Sequence, residues 1–277
     1  MSRRRRVRGA VVLVLTIALL AAGALGISSL LQRTGGVVNE TCTATVGSDS
    51  YDLDPDQAAN AALISAVSVK RGLPARAASI ALATAIQESK LRNITYGDRD
   101  SLGLFQQRPS QGWGTAAQIK DPVYATNAFY DVLVKIQGYH DLPITAAAQE
   151  VQRSGYPQAY ADHEPEGRAY ASALTGQSPA ALSCALRKAT GTGSPKAVAA
   201  SLDRAFGPLT ASASGSGLTV TASDALGWAV AQWAVANAKE LNITAVSFDG
   251  QNWSRADHKG WQKASAAADR VLITVAG

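Results

Sequence analysis

Metal-binding side chains are scarce in this sequence. Its 277 residues include two cysteines, three histidines and a single methionine. The histidines, His140, His163 and His258, lie far apart along the chain, and the cysteines do not complete a zinc-binding pattern with them. The sequence therefore argues against a zinc enzyme, and we expect neither a metal ion nor any other cofactor.

Excess charge is also absent once the first residues are set aside. The chain has a formal net charge of +5, and arginines at positions 3, 4, 5, 6 and 8 supply five positive charges. The remaining chain is therefore neutral overall. It also has no basic stretch with interleaved aromatic residues, which counts against a nucleic-acid-binding protein.

An uncharged apolar run follows these arginines, from residue 9 to residue 31. About 20 apolar residues are enough to span a bilayer, and clustered arginines stay on the cytoplasmic side. The pattern predicts a transmembrane anchor at residues 1–31, with the N-terminus cytoplasmic and the remainder extracytoplasmic. The alternative is a cleaved signal peptide, because Ala22-Gly23-Ala24 would serve as a small-residue cleavage site.

Export of the chain gives its two cysteines a role. Outside the cytoplasm a chain with only two cysteines has one intramolecular bridge open to it. We therefore predict a disulfide between Cys42 and Cys184. The alternative is a pair of free, buried thiols.

The composition along the chain predicts an α+β protein with two folded parts. Residues 32–54 and 176–195 are polar and lack periodicity, so we expect linkers there. Residues 55–175 are mostly helical in pattern, and residues 196–277 predict a small α+β domain. In this second part the expected helices are Ala197–Phe206 and Gly227–Leu241, and the expected strands are Leu218–Ala222, Ile243–Phe248, Gln251–Ser254 and Arg270–Val275.

Glu88 is the most informative single residue. In the helical pattern of residues 73–91, the polar residues Arg76, Ser79, Gln87 and Lys90 share one stripe, which we interpret as the solvated face. Glu88 falls nearly opposite this stripe, among apolar residues. Such surroundings disfavour a charged carboxylate, and a protonated carboxyl group can act as a general acid. The alternative is that the helix frays before Glu88.

A motif after this helix resembles a known family. Glu88-Ser89 is followed by Ser101-Leu102-Gly103-Leu104-Phe105-Gln106. This combination is similar to the lysozyme-like superfamily of soluble lytic transglycosylases and goose-type lysozymes, and residues 147–160 resemble the segment that closes the domain in actinobacterial cell-wall members. The resemblance implies that Glu88 is the catalytic acid and that peptidoglycan is the partner. The residues it implies in substrate binding are Ser89, Ser101, Gly103, Leu104, Gln106 and Tyr156.

Two features depart from the family pattern. Many transglycosylases have Ala-Tyr-Asn where this chain has Glu150-Val151-Gln152, and that tyrosine contacts the catalytic glutamate. Val151 cannot do so, which means that either Tyr156 substitutes or the activity is weakened. No second carboxylate is fixed by the motif. Asp98 and Asp100 could approach the cleft, but we favour the interpretation that they form turns.

The C-terminal part resembles, faintly, D-Ala-D-Ala peptidase-like domains that end in a His-x-His strand. The corresponding residues here, Asp269–Val275, contain no histidine, so the resemblance implies a domain without its metal. For Trp253 and Trp261 we expect packing roles, with a wall-binding platform as the alternative.

These features predict a membrane-anchored enzyme that cleaves peptidoglycan glycan strands, either a lytic transglycosylase or a muramidase. The alternative is a non-catalytic cell-wall-binding or scaffold protein with a decayed cleft.

Overall fold

The computed structural model describes residues 39–154 and 158–277. The predicted anchor and Tyr156 lie outside these residues. Within the described ranges no helix is both long enough and apolar enough to cross a membrane.

The first part of the chain is mainly helical, with a small sheet beside the helices. Its helices are α1 (Pro55–Lys70), α2 (Ala75–Ser89), α3 (Ala116–Ile119), α4 (Pro122–Leu133), α5 (Ile144–Gln152) and α6 (Glu164–Leu174). Its strands are β1 (Thr41–Val46), β2 (Asp49–Leu53) and β3 (Leu182–Ala185).

The second part consists of two helices and six strands. The helices are α7 (Pro195–Phe206) and α8 (Asp224–Ala236). The strands are β4 (Ala211–Ser214), β5 (Gly217–Thr221), β6 (Ile243–Phe248), β7 (Gln251–Ser254), β8 (Trp261–Lys263) and β9 (Arg270–Val275). They form an antiparallel sheet in the order β4-β5-β9-β6-β7-β8. The predicted α+β class is confirmed.

The two segments expected to be linkers contain strands. β1 pairs antiparallel with both β2 and β3, which places residues near 42 beside residues near 184. Each strand is short, and the pairing of β1 with β3 joins residues about 140 positions apart, which a local sequence pattern does not record. The three strands form the sheet β2-β1-β3.

The predicted disulfide is confirmed at the centre of this sheet. Cys42 and Cys184 are direct partners in the β1–β3 register, and their Cα atoms are 3.9 Å apart. Both side chains are buried. The bridge therefore joins residues 142 positions apart in sequence.

Helix α2 lies at the centre of the helical part, and nearly all of its residues are buried. Ser79, which we predicted on a solvated stripe, is buried, and the half-buried Arg76 donates a hydrogen bond to the carbonyl of Leu142. That prediction was wrong for these two residues because α2 is covered on several sides, whereas a single-stripe pattern assumes one open face.

Helix α6 packs closely against α2 at Gly167. A Cβ atom added to Gly167 would lie 2.9 Å from the amide nitrogen of Ala83 and 3.0 Å from the carbonyl oxygen of Ser79. Both atoms belong to the backbone of α2 and cannot rotate away. The absence of a side chain at Gly167 therefore sets the separation of the two helices.

We expect Gly167→Ala to destabilise the protein. Overpacking of this kind costs about 1–3 kcal/mol, and the better helix propensity of alanine offsets about 1 kcal/mol of it. In urea unfolding, the free energy of unfolding of the variant should be lower than that of the parent by about 2 kcal/mol at most. Gly191→Ala is the control, because the nearest atom to its added Cβ is at an ordinary 3.5 Å. Equal stabilities of the two variants would contradict the close packing at Gly167.

Gln232, Trp253 and Trp261 are among the side chains that join the C-terminal part to the first part of the chain. Gln232 on α8 is fully buried; it accepts a hydrogen bond from the Leu182 amide at 2.6 Å and donates to the Ala173 carbonyl at 2.6 Å. The indoles of Trp253 and Trp261 donate to the carbonyls of Cys184 and Leu182, at 3.2 and 2.8 Å. Residues Glu40–Gly277 accordingly form one compact unit.

These contacts also decide between the two interpretations of the tryptophans. Trp253 is fully buried and Trp261 is half-buried, and both indole N–H groups are used within the protein. A packing role agrees with this arrangement, whereas a wall-binding platform would require exposed rings.

Candidate active site

Glu88 lies in the last turn of α2 and contacts a buried tyrosine. The hydroxyl of Tyr160 donates to Oε1 of Glu88 at 2.7 Å, and the ring of Tyr160 is 1% exposed. Burial and the neighbouring Glu88 charge raise the pKa of Tyr160, and Ser154 hydrogen-bonds the same tyrosine. Tyr160 therefore remains a protonated donor throughout the physiological pH range.

The other carboxylate oxygen of Glu88, Oε2, differs from Oε1 in the described part of the chain. Within residues 39–154 and 158–277, Oε2 has no hydrogen-bond partner, and the side chain is half-buried. The helix continues through Glu88 to Ser89, so it does not fray before this residue. Lys90 and Leu91 then take positive φ angles of 53° and 56°, which turn the chain away directly after the carboxylate.

Ser89 connects this helix end to the following loop. Its hydroxyl donates to the Leu104 carbonyl at 2.7 Å, and the serine is buried. Leu104 is fully buried and Ser101 nearly so. In this structure the bond from Ser89 to Leu104 holds the loop against the helix, and the buried side chains of Ser101 and Leu104 are out of reach of a ligand at the surface.

Gln106 has a partly accessible side chain. It is half-buried, has a φ of 48°, and its amide donates to the carbonyls of Tyr96 and Gly103 at 3.3 Å each. A Cβ atom at Gly97 would lie 1.9 Å from Oε1 of Gln106, so only glycine leaves room for this side chain. Gly103 has a φ of 77°, a conformation that favours glycine.

Helix α5 supports the loop from another side. The amide of Gln152 donates to the Phe105 carbonyl at 2.7 Å, and Val151 is buried. Tyr160, rather than a side chain at position 151, supplies the phenol that contacts Glu88. The expected substitute, Tyr156, lies outside the described residues. Residues 147–160 had indicated a tyrosine in this region, but the sequence carried no signal that selected Tyr160.

The two loop aspartates differ in their surroundings. Asp100 accepts from Arg108 Nε at 2.7 Å, from the Ser110 amide at 2.8 Å and from the Ser110 hydroxyl at 3.0 Å. Arg108, followed by Ser110, holds the pKa of Asp100 far below its ordinary value. Asp98 is largely exposed, and Arg99 is its ion-pair partner at 3.9 Å. Asp100 thus joins two parts of the loop that are 8 to 10 residues apart, whereas the favoured interpretation was a local turn.

We expect Asp100→Asn to make stability less sensitive to acid. Because the folded-state pKa is depressed, the stabilisation by Asp100 is present above its ordinary pKa of 3.8 and is lost as the pH falls further. The stability difference between parent and variant, measured by urea unfolding, should be largest at neutral pH and shrink below about pH 4. A difference that stays constant down to pH 2 would contradict this account.

Of the pockets in the first part of the chain, one lies beside the end of α2 that carries Glu88. Gln87 and Lys90, which flank Glu88 in sequence, line a pocket of about 390 Å³ together with His163. In it a ring nitrogen of His163 is hydrogen-bonded to Gln87 Oε1 at 2.9 Å, and burial lowers the pKa of His163. A second pocket, of about 470 Å³, lies beside α5 at Trp113 and Gln152. A larger one, of about 660 Å³, includes Arg76 at the far end of α2.

Among the residues that the structure describes, no three histidine, cysteine, aspartate or glutamate side chains form a cluster that could hold a metal ion. His163 has Gln87 as its partner, and His140 lies 3.1 Å from the carboxylate of Asp141.

A family model matches the C-terminal part of the chain. The family model described as VldE, C-terminal domain, matches residues 211–271, which run from β4 to the start of β9. No curated protein matches the chain. The similarity is thus confined to the six-stranded sheet and α8, and it does not include Glu88.

Proposed function

We propose that this protein cleaves the glycan strands of peptidoglycan, with Glu88 as the acid and base. The observation that carries the proposal is the Glu88 carboxyl group itself: Tyr160 fixes one oxygen at 2.7 Å and the other is without a partner in the described residues. A catalytic acid requires such a fixed orientation with one oxygen left for the substrate.

The chemistry requires a proton transfer in each direction. Glu88 donates its proton to the glycosidic oxygen, which leaves with the electron pair of the broken C–O bond. The deprotonated Glu88 then accepts a proton from a hydroxyl of the sugar at the reaction centre, and that oxygen closes an anhydro ring. If water takes the place of this hydroxyl, the product has a reducing end. Glycosidases commonly use a second carboxylate, and Asp100 is already held by Arg108 and Ser110, which supports the route with one carboxyl group.

The remaining parts of the proposal concern location. The apolar run of residues 9–31 would anchor the protein in the membrane with residues 32–277 outside, facing the wall. A disulfide between Cys42 and Cys184 suits such an oxidising compartment.

Mass spectrometry of muropeptides tests the proposal. The full chain in mild detergent is incubated with purified peptidoglycan, and the soluble products are analysed. Products with anhydro ends support a lytic transglycosylase, and reducing ends support a muramidase. No release, together with retention of the protein on the insoluble wall, would instead support the non-catalytic wall-binding alternative.

We expect Tyr160→Phe to slow cleavage without removing it. The variant loses one hydrogen bond to a charged group, which is worth about 1.5–3 kcal/mol, so kcat/KM should fall about 10- to 100-fold. Tyr170→Phe is the matched control: the Tyr170 hydroxyl is 2.7 Å from the Tyr51 carbonyl, so this variant also removes a hydrogen bond of a buried tyrosine but leaves Glu88 untouched. A comparable loss of kcat/KM in both variants would show that Tyr160 acts through stability alone.

A further inference from the structure

The groove of about 660 Å³ lies at the opposite end of α2 from Glu88. At about 1.5 Å per residue, Arg76 and Glu88 are roughly 18 Å apart along the helix. The groove is bounded by the β1–β2 hairpin, the first turns of α2 and one side of α6. Its apolar walls include Val46, Tyr51, Pro165 and Ala169.

Four charged side chains line this groove, and two of them neutralise each other. Arg168 contacts Glu164 through two nitrogens, Nε at 2.7 Å and Nη2 at 2.5 Å, one helical turn apart on α6. Both nitrogens approach the same carboxylate oxygen, Oε1, so the two charges form an ion pair. The two remaining charges are those of Arg76 and Asp49.

Arg76 has donors to spare. A guanidinium group carries five N–H donors, and Arg76 uses one nitrogen, Nη2, to bind the Leu142 carbonyl. Its Nη1 has no partner, and the residue forms no ion pair, within residues 39–154 and 158–277. The helix start places this positive charge at the wall of the groove, where a carboxylate would be its natural complement.

Asp49 supplies the opposite charge. It is exposed at the start of β2 and accepts one weak hydrogen bond, from the Ser48 hydroxyl at 3.3 Å. Across the described part of the chain it has no ion-pair partner. The groove therefore carries one positive and one negative side chain without an ion-pair partner in the described residues. Its other walls are largely apolar.

We propose that this groove binds a short zwitterionic peptide, with its carboxylate on Arg76 and its ammonium group on Asp49. Pockets of about 300–1,000 Å³ hold ligands larger than one amino acid, and the walls of this groove suit small apolar side chains. The site is separate from Glu88, and the proposal does not depend on glycan cleavage.

Calorimetric titration with trialanine tests the proposal on the full chain in mild detergent, with its disulfide intact. Two blocked peptides are the comparison: N-acetyl-trialanine lacks the ammonium group and trialanine amide lacks the carboxylate. We expect trialanine to bind and each blocked peptide to bind at least about tenfold more weakly, since each loses a charged hydrogen bond. No binding of trialanine at millimolar concentration, or equal binding of all three, would overturn the proposal.

Matched variants locate the binding site. Arg76→Gln should weaken trialanine binding at least about tenfold, whereas the double change Arg168→Gln with Glu164→Gln, which removes both charges of the ion pair in the same groove, should leave it nearly unchanged. Asp49→Asn should weaken binding, with Asp52→Asn as control, since Asp52 already accepts from the Thr43 hydroxyl at 2.6 Å. Losses of equal size in the controls would contradict the assignment.

Two further measurements keep the result interpretable. Thermal unfolding shows whether Arg76→Gln still folds without its bond to Leu142. If it does not fold, the binding results for Asp49→Asn and for the blocked peptides test the proposed site. Glu88→Gln should bind trialanine as tightly as the parent. Peptide binding and glycan cleavage are therefore measured independently, and either one can fail without the other.

Discussion

Glu88→Gln is expected to abolish glycan cleavage while leaving the fold intact. Glutamine keeps the shape of the side chain and an oxygen that can accept from Tyr160, but it has no transferable proton. General acid–base catalysis contributes about 10²- to 10⁴-fold to a rate, so the release of muropeptides should fall by at least about 100-fold. The rate is measured by mass spectrometry of the soluble products from purified peptidoglycan.

The control for this variant is Glu150→Gln on α5. It makes the same change of charge at an exposed position close to the Val151 and Gln152 that support the loop. Its cleavage rate and the unfolding midpoints of both variants should match those of the parent. If Glu88→Gln cleaves at the parental rate, Glu88 has no part in the mechanism.

Replacing both cysteines is expected to have the largest effect on stability. Cys42→Ala with Cys184→Ala opens a loop of 142 residues. The chain-entropy model gives a loss of about 4–5 kcal/mol for a loop of this length, and measured losses are often smaller. The free energy of unfolding from denaturant titration of oxidised parent and double variant measures the difference.

Reduction of the parent provides the control for the disulfide prediction. Reductant should bring the parent close to the double variant and should leave the double variant unchanged. Because Trp253 and Trp261 donate to carbonyls of β3, their fluorescence should report release of this strand. If the free energies of unfolding of the double variant and the oxidised parent differ by less than about 1 kcal/mol, the disulfide contributes little to stability.

The stability effect should extend across the whole unit. The β1–β3 ladder lies between the helical part, where the Tyr170 hydroxyl approaches the Cys42 carbonyl at 3.2 Å, and the C-terminal part, where Trp253 binds the Cys184 carbonyl. We therefore expect one cooperative unfolding transition for residues 40–277 in the oxidised protein.

The sequence alone determined several features of this protein through local patterns. Alternating residues located β5, strand-forming residues on either side of the Asp249-Gly250 turn located β6 and β7, and β-branched residues located β9. A helical pattern located the helix that carries Glu88. Two cysteines left a single intramolecular pairing, which the structure confirms. The strands and the helix were inferred from residues close in sequence, and the disulfide from the number of cysteines, which allows one intramolecular pair.

Only the tertiary structure decided the contacts between distant residues. β1 and β3 are short, and they pair with each other across about 140 residues of sequence. Ser79 is buried because other elements cover α2, and Tyr160 reaches Glu88 from 72 residues away. Gln232, Trp253 and Trp261 likewise complete hydrogen bonds that the first part of the chain leaves open. Local periodicity records which face of an element is apolar, but it does not record which partner covers that face or satisfies its polar groups.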